Sequence, residues 1–353
     1  MYRDTLLVTG SGGLVGGYAV DHYCKKGAKV YGIDNNGRGT YFGASASTEW
    51  RIRQLESNHS NFENFKIDIR DKQSIKELIS KTLPETVIHT AGQPSHDFAA
   101  HNPHLDFEVN AAGTLNLLEA CKEYVPDSNI IVFSTNKVYG DSVNEIPWEE
   151  GASRFEFRGS HFKKGVDEIQ RLDQSNHSLF GVSKLYADVI AQEYGRNFEM
   201  KTTILRGGCL TGPNHSATES HGFLSFMVSK AVKKLPYQVF GFCGKQVRDN
   251  LHVEDIVLLI DKIIESPNYG EVFNLGGGYE NSVSILEVID KLYENHNLQL
   301  KTELIAQERF GDHRIYYSCL DKLMNRYSNW SVTRDLDDIL DNLIGDWKLR
   351  IDN

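Results

Sequence analysis

The chain has 353 residues, of which 40% are hydrophobic, enough for one large domain or two modest ones with a proper core. Its net charge of -10 argues against a nucleic-acid surface, because phosphate backbones are bound by basic fields. No apolar run reaches the length of a membrane span, the five cysteines form no C-x-x-C pair, and the 13 histidines show no metal-binding spacing. The composition therefore predicts no nucleic-acid or membrane partner, no disulfide and no metal site.

The first motif is a glycine-rich turn directly after a short apolar run. Thr5–Val8 is typical of a buried strand, and Gly10, Gly13 and Gly16 follow with G-x-x-G-x-x-G spacing at the start of a helical stretch. In this pattern the first glycine allows a tight turn, the second lets the backbone approach a phosphate, and the third lets the helix pack on the strand. The stretch predicts a dinucleotide site with the pyrophosphate at the helix N-terminus.

An aspartate ends the second predicted strand. The strand covers residues 28–34, and Asp34 closes it eighteen residues after Gly16. A carboxylate at this point accepts hydrogen bonds from both ribose hydroxyls of NAD and repels the extra phosphate of NADP. Glycine triplets alone are also found in ordinary strand-to-helix turns. Here the strand, the helix and the acid agree, and together they predict NAD as the cofactor.

Short apolar runs alternate with helical stretches up to about residue 205. Further strands are predicted at 65–69, 86–90, 130–134 and 201–206. Helices are predicted at about 74–82, 106–124 and 179–198. This alternation is typical of a parallel sheet covered by helices on both faces. The predicted fold is α/β, a doubly wound (Rossmann) parallel sheet.

The regular alternation stops after Arg206, where glycine and proline become more frequent. A smaller C-terminal substrate lobe is predicted from here, and a strand at 272–275 that returns to the main sheet makes the two domains interleaved. The predicted domains are an NAD-binding domain at 1–205 with a return segment at about 251–276, and a nucleotide-sugar-binding lobe at 206–353. The segment 145–174 is charged and aromatic without a clear period, which is typical of a functional lid or a disordered loop.

Three further stretches complete a resemblance to a known family. Thr90–Pro94 follows the fourth predicted strand, Ser134–Gly140 follows the fifth, and Ser178–Lys184 opens the next helix. With the glycine-rich turn, they resemble the extended short-chain dehydrogenase/reductase superfamily of NAD-dependent nucleotide-sugar epimerases and dehydratases, over nearly the whole chain. Residues 89–110, 134–141 and 244–255 most resemble its CDP-paratose (CDP-tyvelose) 2-epimerase branch.

The resemblance implies a set of cofactor contacts. Asp68 and Ile69 fall where the family holds the adenine ring, although a plain core role is the alternative for Ile69. Asn110 and Ser134 would lie near the ribose and nicotinamide, and Lys184 would bind the nicotinamide ribose and supply positive charge. The implied cofactor-binding residues are Gly10, Gly12, Gly13, Leu14, Val15, Gly16, Asp34, Asn35, Asp68, Ile69, Ala91, Gly92, Gln93, Asn110, Ser134 and Lys184.

The catalytic positions depart from the family at one residue. Thr135 stands at the family's Ser/Thr position and Lys184 at the lysine of its Tyr-x-x-x-Lys signature, but Phe180 replaces the tyrosine. A phenol near a lysine ammonium has its pKa lowered, so it can take the sugar's proton as hydride leaves. Phenylalanine cannot, and losing a positioned base costs on the order of 10²- to 10⁴-fold in rate.

Two explanations of Phe180 stay open at this point: a substitution introduced to trap a complex, or a natural branch that uses another base or lacks turnover. Thr135 has a hydroxyl too weakly acidic to replace the phenol unaided. The other side chains that could serve as the base if they point inward are Lys137, Tyr139, Lys184, Cys209, His215 and His221.

The substrate is also implied by resemblance. Asn136 and Lys137 stand where dehydratases carry the Asp-Glu pair that eliminates water, which favours hydride removal and return over 4,6-dehydration. Arg248 would grip the nucleotide diphosphate with Arg309 as its partner, since charge-assisted guanidinium contacts suit an acidic protein. The implied substrate-binding residues are Thr135, Asn136, Asn214, His221, Phe223, Arg248 and Arg309.

The expected protein is a cytoplasmic homodimeric enzyme that holds NAD tightly and epimerises C2 of a CDP-hexose in the cleft between its lobes, as in lipopolysaccharide biosynthesis. The cytoplasmic expectation follows because Met1–Asp4 leads straight into the first strand. The dimer is implied by helices 106–124 and 179–198, which form an intersubunit bundle in the superfamily. Their apolar residues include Leu115, Leu118, Leu185 and Val189. A UDP-sugar 4-epimerase and a nucleotide-sugar-binding protein with little turnover are the alternatives.

Overall fold

The computed structural model describes residues 4–219, 221–309 and 311–352. Met1–Arg3 and Phe310, which belong to stretches used in the sequence analysis, lie outside the described residues. The chain divides into two compact units. Unit 1 comprises residues 1–138, 179–206 and 256–273, and unit 2 comprises residues 139–178, 207–255 and 274–353. Residues 139–178 fell within the predicted NAD-binding domain, and they belong to unit 2.

The strands are β1 (Thr5–Thr9), β2 (Lys29–Ile33), β3 (Phe62–Phe65), β4 (Thr86–His89), β5 (Asn129–Thr135), β6 (Trp148–Glu150), β7 (Phe155–Phe157), β8 (Lys201–Gly207), β9 (Cys209–Thr211), β10 (Tyr237–Phe240), β11 (Val247–His252), β12 (Glu271–Leu275), β13 (Ser282–Ser284), β14 (Thr302–Ile305) and β15 (Ile315–Tyr316). The α-helices are α1 (Leu14–Lys25), α2 (Gly37–Phe42), α3 (Glu49–Asn58), α4 (Lys72–Thr82), α5 (His96–His101), α6 (Pro103–Phe107), α7 (Gly113–Tyr124), α8 (Leu179–Asn197), α9 (Phe223–Val232), α10 (Val253–Glu265), α11 (Ile285–His296), α12 (Asp321–Arg326) and α13 (Leu336–Asp352).

A parallel sheet forms the centre of unit 1. In the described part of the chain its order is β12-β8-β5-β4-β1-β2-β3. Strand β1 pairs in parallel with both β2 and β4, so that Leu6 lies between Val30 and Thr86. The chain therefore builds outward from β1 in one direction and then returns to continue in the other. The predicted doubly wound α/β fold is confirmed, and the switch between β1 and β4 is where such sheets bind ligands, at the carboxyl ends of the strands.

The core of unit 1 explains why these segments are strands. Leu7, Val87, Ile130 and Ile204 are fully buried in one apolar cluster, on β1, β4, β5 and β8 respectively. Such strands, covered on both faces, read as near-continuous apolar runs. The third strand is the exception: its predicted position at 65–69 is wrong, because β3 ends at Phe65 and the residues after it pack on the core as a loop.

The described residues of unit 2 form three smaller sheets. Strand β11 pairs with β9, β13 and β15, while β10 pairs with β14 and β6 pairs with β7. The antiparallel β6–β7 pair gives regular structure to part of the segment 145–174. Buried apolar side chains of α9, α11 and α13, such as Met227, Leu292 and Leu340, form the core of this unit. Among the described residues, no helix has the length and apolar character needed to span a bilayer.

Candidate active site

The glycine-rich turn has the geometry that its spacing predicts. Gly10 adopts φ = +71°, a conformation that favours glycine, and its N–H donates to the carbonyl oxygen of Ile33 at 2.7 Å. A Cβ added to Gly16 would lie 2.1 Å from the carbonyl oxygen of Gly10, so α1 approaches the turn as closely as a glycine permits. Gly13 precedes α1 directly, and Leu14 and Val15 form its first turn. This places the helix N-terminus at the carboxyl end of β1.

Asp34 is tied to this turn. Its carboxylate accepts hydrogen bonds from the N–H of Gly12 at 2.9 Å, the N–H of Asn36 at 2.8 Å and the hydroxyl of Thr48 at 3.0 Å. A carboxylate has about four acceptor sites, so capacity remains for a ligand hydroxyl. Burial lowers the pKa of the nearby Arg38 to about 10, while the charge of Asp34 opposes this lowering. The sequence analysis overlooked this cation, which lies four residues after the acid.

Asp68 follows β3 and is held in a polar network. Arg70 donates to it through Nε at 3.0 Å and Nη2 at 2.8 Å, and Asn35 donates through its amide at 2.9 Å. Burial raises the pKa of Asp68, but the hydrogen bonds from Arg70 and Asn35 outweigh burial and bring it below its usual value. The side chain of Ile69 is 5% exposed and belongs to the core cluster of unit 1, so any ligand contact there falls to its backbone.

Gln93 and Asn110 form a buried amide network. The Asn110 side chain accepts from the backbone N–H of Gln93 at 2.9 Å and donates to Asp106 at 3.0 Å and to Ser183 at 3.1 Å. Gln93 also donates to Asp106, at 2.7 Å. The helix predicted at 106–124 is interrupted here by a π-helical turn at Glu108–Ala112, a feature frequent at functional sites. These side chains fix the loop after β4 to α8.

Lys184 lies beside this loop. Its Nζ donates to the carbonyl oxygen of Phe133 at 2.7 Å, and a Cβ added to Gly92 would lie 3.9 Å from the same nitrogen. Ala91, the preceding residue, is anchored to Thr9 of β1 at 3.2 Å. Burial lowers the pKa of Lys184 from 10.5 to about 8, with the charges of two aspartates opposing the shift. The lysine of the signature is therefore buried.

Ser134 hydrogen-bonds to a buried ion pair, formed by Asp188 and Arg206, that was not predicted from the sequence. Its hydroxyl donates to Asp188 at 2.6 Å. Arg206 donates to the same carboxylate through two nitrogens, at 3.0 and 2.9 Å, and Gln192 donates at 2.7 Å. Asp188 stands one helical turn after Lys184 on α8, which was the available sequence signal. Ser134 thus supports the site through Asp188, because its hydroxyl proton is already donated.

Thr135 ends β5 and keeps its hydroxyl close to the backbone. The oxygen accepts the N–H of Lys137 at 3.2 Å and the hydroxyl lies 3.4 Å from the side-chain oxygen of Asn136. Asn136 is buried, whereas Thr135 and Lys137 are half-buried. The threonine hydroxyl is thus at the carboxyl end of a central strand.

Phe180 lies against a histidine. The Phe180 side chain is 7% exposed, and its ring centroid lies 4.9 Å from that of His96 at an interplanar angle of 61°. Ser183 donates to the Phe180 carbonyl at 3.1 Å, within the same helix. His96 was not among the candidate bases, although it follows the Thr90–Pro94 motif by two residues. An imidazole thus packs against the ring that stands at the tyrosine position of the family signature.

The other candidate bases have different surroundings. Tyr139 is fully buried and donates its hydroxyl to Asn274 at 2.7 Å. Cys209 begins β9. The rings of His215 and His221 lie 5.4 Å apart, edge to face. All of these belong to unit 2.

Arg248 and Arg309 are both anchored in unit 2. The Arg248 side chain lies 2.5 Å from Asp312, and one of its nitrogens donates to the Val247 carbonyl at 2.7 Å. The Arg309 guanidinium lies 4.1 Å from the ring centroid of Phe240. The N–H of Asp312 donates to the Arg309 carbonyl at 3.2 Å, so Asp312 joins the two arginines through one loop.

The remaining predicted substrate residues lie in the segment before α9. Asn214 adopts φ = +64°, and its N–H donates to Asp346 at 3.1 Å. Phe223 is the first residue of α9 and packs against the core of unit 2. A backbone hydrogen bond to α13 and packing on the core thus account for part of what these residues do. Among the described residues, no group of three or more potential metal ligands converges.

Comparisons with known proteins agree with this geometry. A model of the NAD dependent epimerase/dehydratase family matches residues 6–276. CDP-paratose 2-epimerase from Salmonella typhi is 34% identical over 92% of this chain and 94% of its own length. UDP-glucose 4-epimerase 2 from Arabidopsis thaliana is 25% identical over 95% of this chain and 92% of its own.

The solved structures include a tyrosine-to-phenylalanine mutant of UDP-glucuronic acid 4-epimerase from Bacillus cereus, in complex with UDP-4-deoxy-4-fluoro-glucuronic acid and NAD. It superposes with a TM-score of 0.77 at 23% identity and covers 98% of this chain and 99% of its own. This likeness concerns the fold.

Proposed function

The chain belongs to the NAD dependent epimerase/dehydratase family, and from this premise we propose that it epimerises a nucleotide-activated sugar, with C2 of a CDP-hexose as the reacting centre. The observation that carries the choice of CDP-hexose is the 34% identity, over 92% of the chain, to a CDP-paratose 2-epimerase. Asn136 and Lys137 in place of an acidic pair favour epimerisation over dehydration.

The residues of unit 1 fit NAD. The left-handed Gly10 and the close approach of Gly16 leave the N-terminus of α1 at the carboxyl end of β1, where backbone N–H groups suit a pyrophosphate. Asp34 keeps acceptor capacity for ribose hydroxyls. Gly92 and Lys184 lie side by side, which suits the nicotinamide ribose. When bound, NAD would accept hydride from the sugar carbon and return it to the other face.

The protein's own groups have three tasks in such a reaction. Thr135 would hydrogen-bond the reacting hydroxyl, and Lys184 would supply positive charge that stabilises negative charge developing on its oxygen. The third task is to take the hydroxyl proton while the carbonyl forms, and to give it back as hydride returns. Because hydride and proton both return, the sugar is neither oxidised nor reduced overall.

Arg248 is the residue that we propose to bind the diphosphate of the nucleotide sugar. Its side chain is mostly buried, pointing away from bulk water, and its Asp312 partner is more exposed. A diphosphate carries more negative charge than one carboxylate, so it would compete with Asp312 for the guanidinium.

Replacing Arg248 with alanine should weaken CDP binding at least tenfold, because charge-assisted hydrogen bonds contribute about 1.5 to 3 kcal/mol each. The matched control is Arg158→Ala, which removes an exposed arginine paired with Glu149. Isothermal titration measures the dissociation constant of CDP for both variants, and the control should keep the value of the unmodified protein. An unchanged dissociation constant in Arg248→Ala would exclude Arg248 from the site.

The reaction itself is tested by incubating the purified protein and NAD with CDP- and UDP-hexoses and following C2 and C4 stereochemistry by proton NMR. The proposal predicts inversion at C2 of a CDP-hexose. Inversion at C4 of a UDP-sugar would favour the second candidate, which the 25% identity to UDP-glucose 4-epimerase 2 supports. Tight binding of NAD and nucleotide sugar without inversion of either would favour a binding protein.

We also infer that the protein is a homodimer through one face of α8. Its exposed apolar side chains are Leu179, Val182, Tyr186 and Val189. Their spacing of three, four and three residues places them in one stripe along the helix. The ring of Phe107 on α6 lies 6.1 Å from that of Tyr186 and extends the stripe. Of the four residues named from sequence, Val189 belongs to this surface, whereas Leu118 lies in the core.

A further inference from the structure

Phe180 leaves the proposed reaction without its usual proton acceptor. The neighbouring polar groups of unit 1 differ in how well they could serve. The Lys184 Nζ donates a hydrogen bond to the Phe133 carbonyl, and its proposed task is to supply positive charge as an ammonium, which leaves it without a free electron pair to accept the proton. The Thr135 hydroxyl is too weakly acidic, as noted above. An imidazole has an ordinary pKa of about 6.5, which is close to the optimum for a general base at neutral pH.

His96 is the imidazole that contacts Phe180, with 4.9 Å between the ring centroids. In the family signature the phenol oxygen would extend from the ring that stands at this position, and the imidazole of His96 contacts that ring. His96 is half-buried, which is compatible with access for a ligand. The contact joins α5 to α8, the helix that also carries Lys184.

The backbone before His96 is held firmly. Ser95 is the N-cap of α5 and accepts the N–H of Phe98 at 3.2 Å. The Gln93 side chain bonds both to the carbonyl of Ser95, at 2.9 Å, and to Asp106, at 2.7 Å. A catalytic group must be placed to within about 0.5 Å by such supporting bonds. The amide network described above therefore has a second role, which is to position His96.

We propose that His96 is the general base that replaces the missing tyrosine; this rests on the proposed epimerase function. In the first half-reaction the imidazole of His96 would take the proton of the sugar hydroxyl as its O–H bond breaks, while the hydride of the adjacent C–H bond would go to bound NAD⁺ and leave a ketone. In the second half-reaction the imidazolium would return the proton to the oxygen as the hydride comes back to the opposite face of the ketone.

The helices α6 and α8, which pack with α5, carry charges of both signs. Lys184 on α8 is a cation, while Asp97 on α5 and Asp106 on α6 are acids. Burial raises the pKa of Asp106 above its usual value, with hydrogen bonds from Ser183 and Gln93 opposing the rise.

The test compares His96→Gln with His101→Gln, the same change at an exposed histidine on the same helix. His96→Gln should lower kcat by about 10²- to 10⁴-fold, the usual cost of losing a positioned base, while NAD binding is retained. His101→Gln should keep the rate of the unmodified protein. The double variant Phe180→Tyr with His96→Gln should recover at least tenfold of the lost rate, because the phenol would supply the acid/base again.

A second measurement does not depend on turnover. In ¹³C-histidine NMR spectra, the signal that disappears in His96→Gln should shift and change its titration midpoint when CDP-sugar is added to the NAD-bound protein. The His101 signal should not move. Full activity of His96→Gln, or a His96 signal insensitive to the sugar, would overturn the assignment alone. Absence of epimerisation of every nucleotide sugar by the unmodified protein would overturn both this assignment and the proposed function.

Discussion

At the scale of single residues, the site of unit 1 depends on charges that are buried with their partners. Asp188 is enclosed by Arg206, Ser134 and Gln192, and removing one partner of such a pair costs about 3 to 5 kcal/mol because it leaves an uncompensated buried charge. Lys184 lies one turn away, with a backbone carbonyl as its acceptor. These residues fix where positive charge stands in the site.

Lys184 should make stability depend on pH. Its folded-state pKa of about 8 lies below the unfolded value of 10.5, so the folded protein binds fewer protons between these values. The free energy of unfolding should therefore rise with pH from about 8 to 10.5, relative to Lys184→Met, by up to about 1.4 kcal/mol per pH unit. Urea unfolding at several pH values measures this difference. Lys163→Met, at an exposed lysine, should run parallel to the unmodified protein, and parallel curves for Lys184→Met would refute the prediction.

Asp34 should set the preference for NAD. Its carboxylate would repel the 2'-phosphate of NADP, so NAD should bind at least tenfold tighter, a difference of about 1.4 kcal/mol. In Asp34→Asn the repulsion is lost, while the cation of Arg38 stays near and can attract the phosphate. We expect the preference to narrow or reverse in fluorescence titrations. Asp127→Asn, at an exposed aspartate, should keep the preference for NAD. Equal affinities of the unmodified protein for NAD and NADP would show that Asp34 does not face the ribose.

At the scale of elements, the contact between α1 and the turn after β1 is the closest one that the site requires. The end of β1, the turn and the start of α1 meet at Gly10 and Gly16. A methyl group on either glycine would clash with backbone atoms. The π-helical turn before α7 serves a comparable purpose, since it aims Asn110 at Gln93. Both features position backbone rather than a reactive side chain.

Gly16→Ala should therefore be costly. Its methyl group would lie 2.1 Å from a backbone oxygen, and such overpacking costs typically about 1 to 3 kcal/mol. Gly345→Ala is the matched change: Gly345 lies on α13, and its Cβ would meet nothing within 4 Å. That variant should gain roughly 0.5 to 1 kcal/mol from helix propensity. Chemical denaturation measures both, and equal effects of the two substitutions would contradict the packing argument. NAD binding should fall in Gly16→Ala alone.

At the scale of the whole molecule, the apolar stripe on α8 stays exposed to solvent in the single chain. Aromatic and β-branched side chains that recur along one helix face indicate an interface, because contiguous exposed apolar surface is rare on monomers. The same helix carries Phe180 and Lys184 on another face. Dimerisation would thus support the catalytic helix directly.

Val189→Glu should weaken the dimer. The side chain is 41% exposed, and burying a glutamate carboxylate without a partner is unfavourable. Sedimentation should give twice the 39.9 kDa chain mass for the unmodified protein and a mixture or monomer for the variant. Ile169→Glu, at an 83% exposed site of unit 2, is the control and should leave the mass unchanged. A monomeric unmodified protein at micromolar concentration would remove the proposal.

Features that depend on local spacing could be predicted from the amino-acid order alone. Gly10 and Gly16 are required by backbone geometry within one turn, so their pattern predicted the α/β fold and the shape of the dinucleotide loop. The spacing of Thr135, Phe180 and Lys184 likewise identified Phe180 as the residue that stands at the tyrosine position. The third strand was misplaced because Ile67 and Ile69 are apolar in a loop that packs on the core, and periodicity alone does not separate such a loop from a strand.

The tertiary structure alone decided which side chains meet. Gln93, Asn110 and Ser134 are predicted to lie near the cofactor, and the structure shows that their side chains are hydrogen-bonded to Asp106, Ser183 and Asp188. His96 carried no signal of its own, since it opens a helix of only six residues, too short to show a period. Only the packing of α5 on α8 brings its ring to Phe180. Buried polar groups need partners, and the partners are supplied by segments far apart in the chain, which no local pattern records.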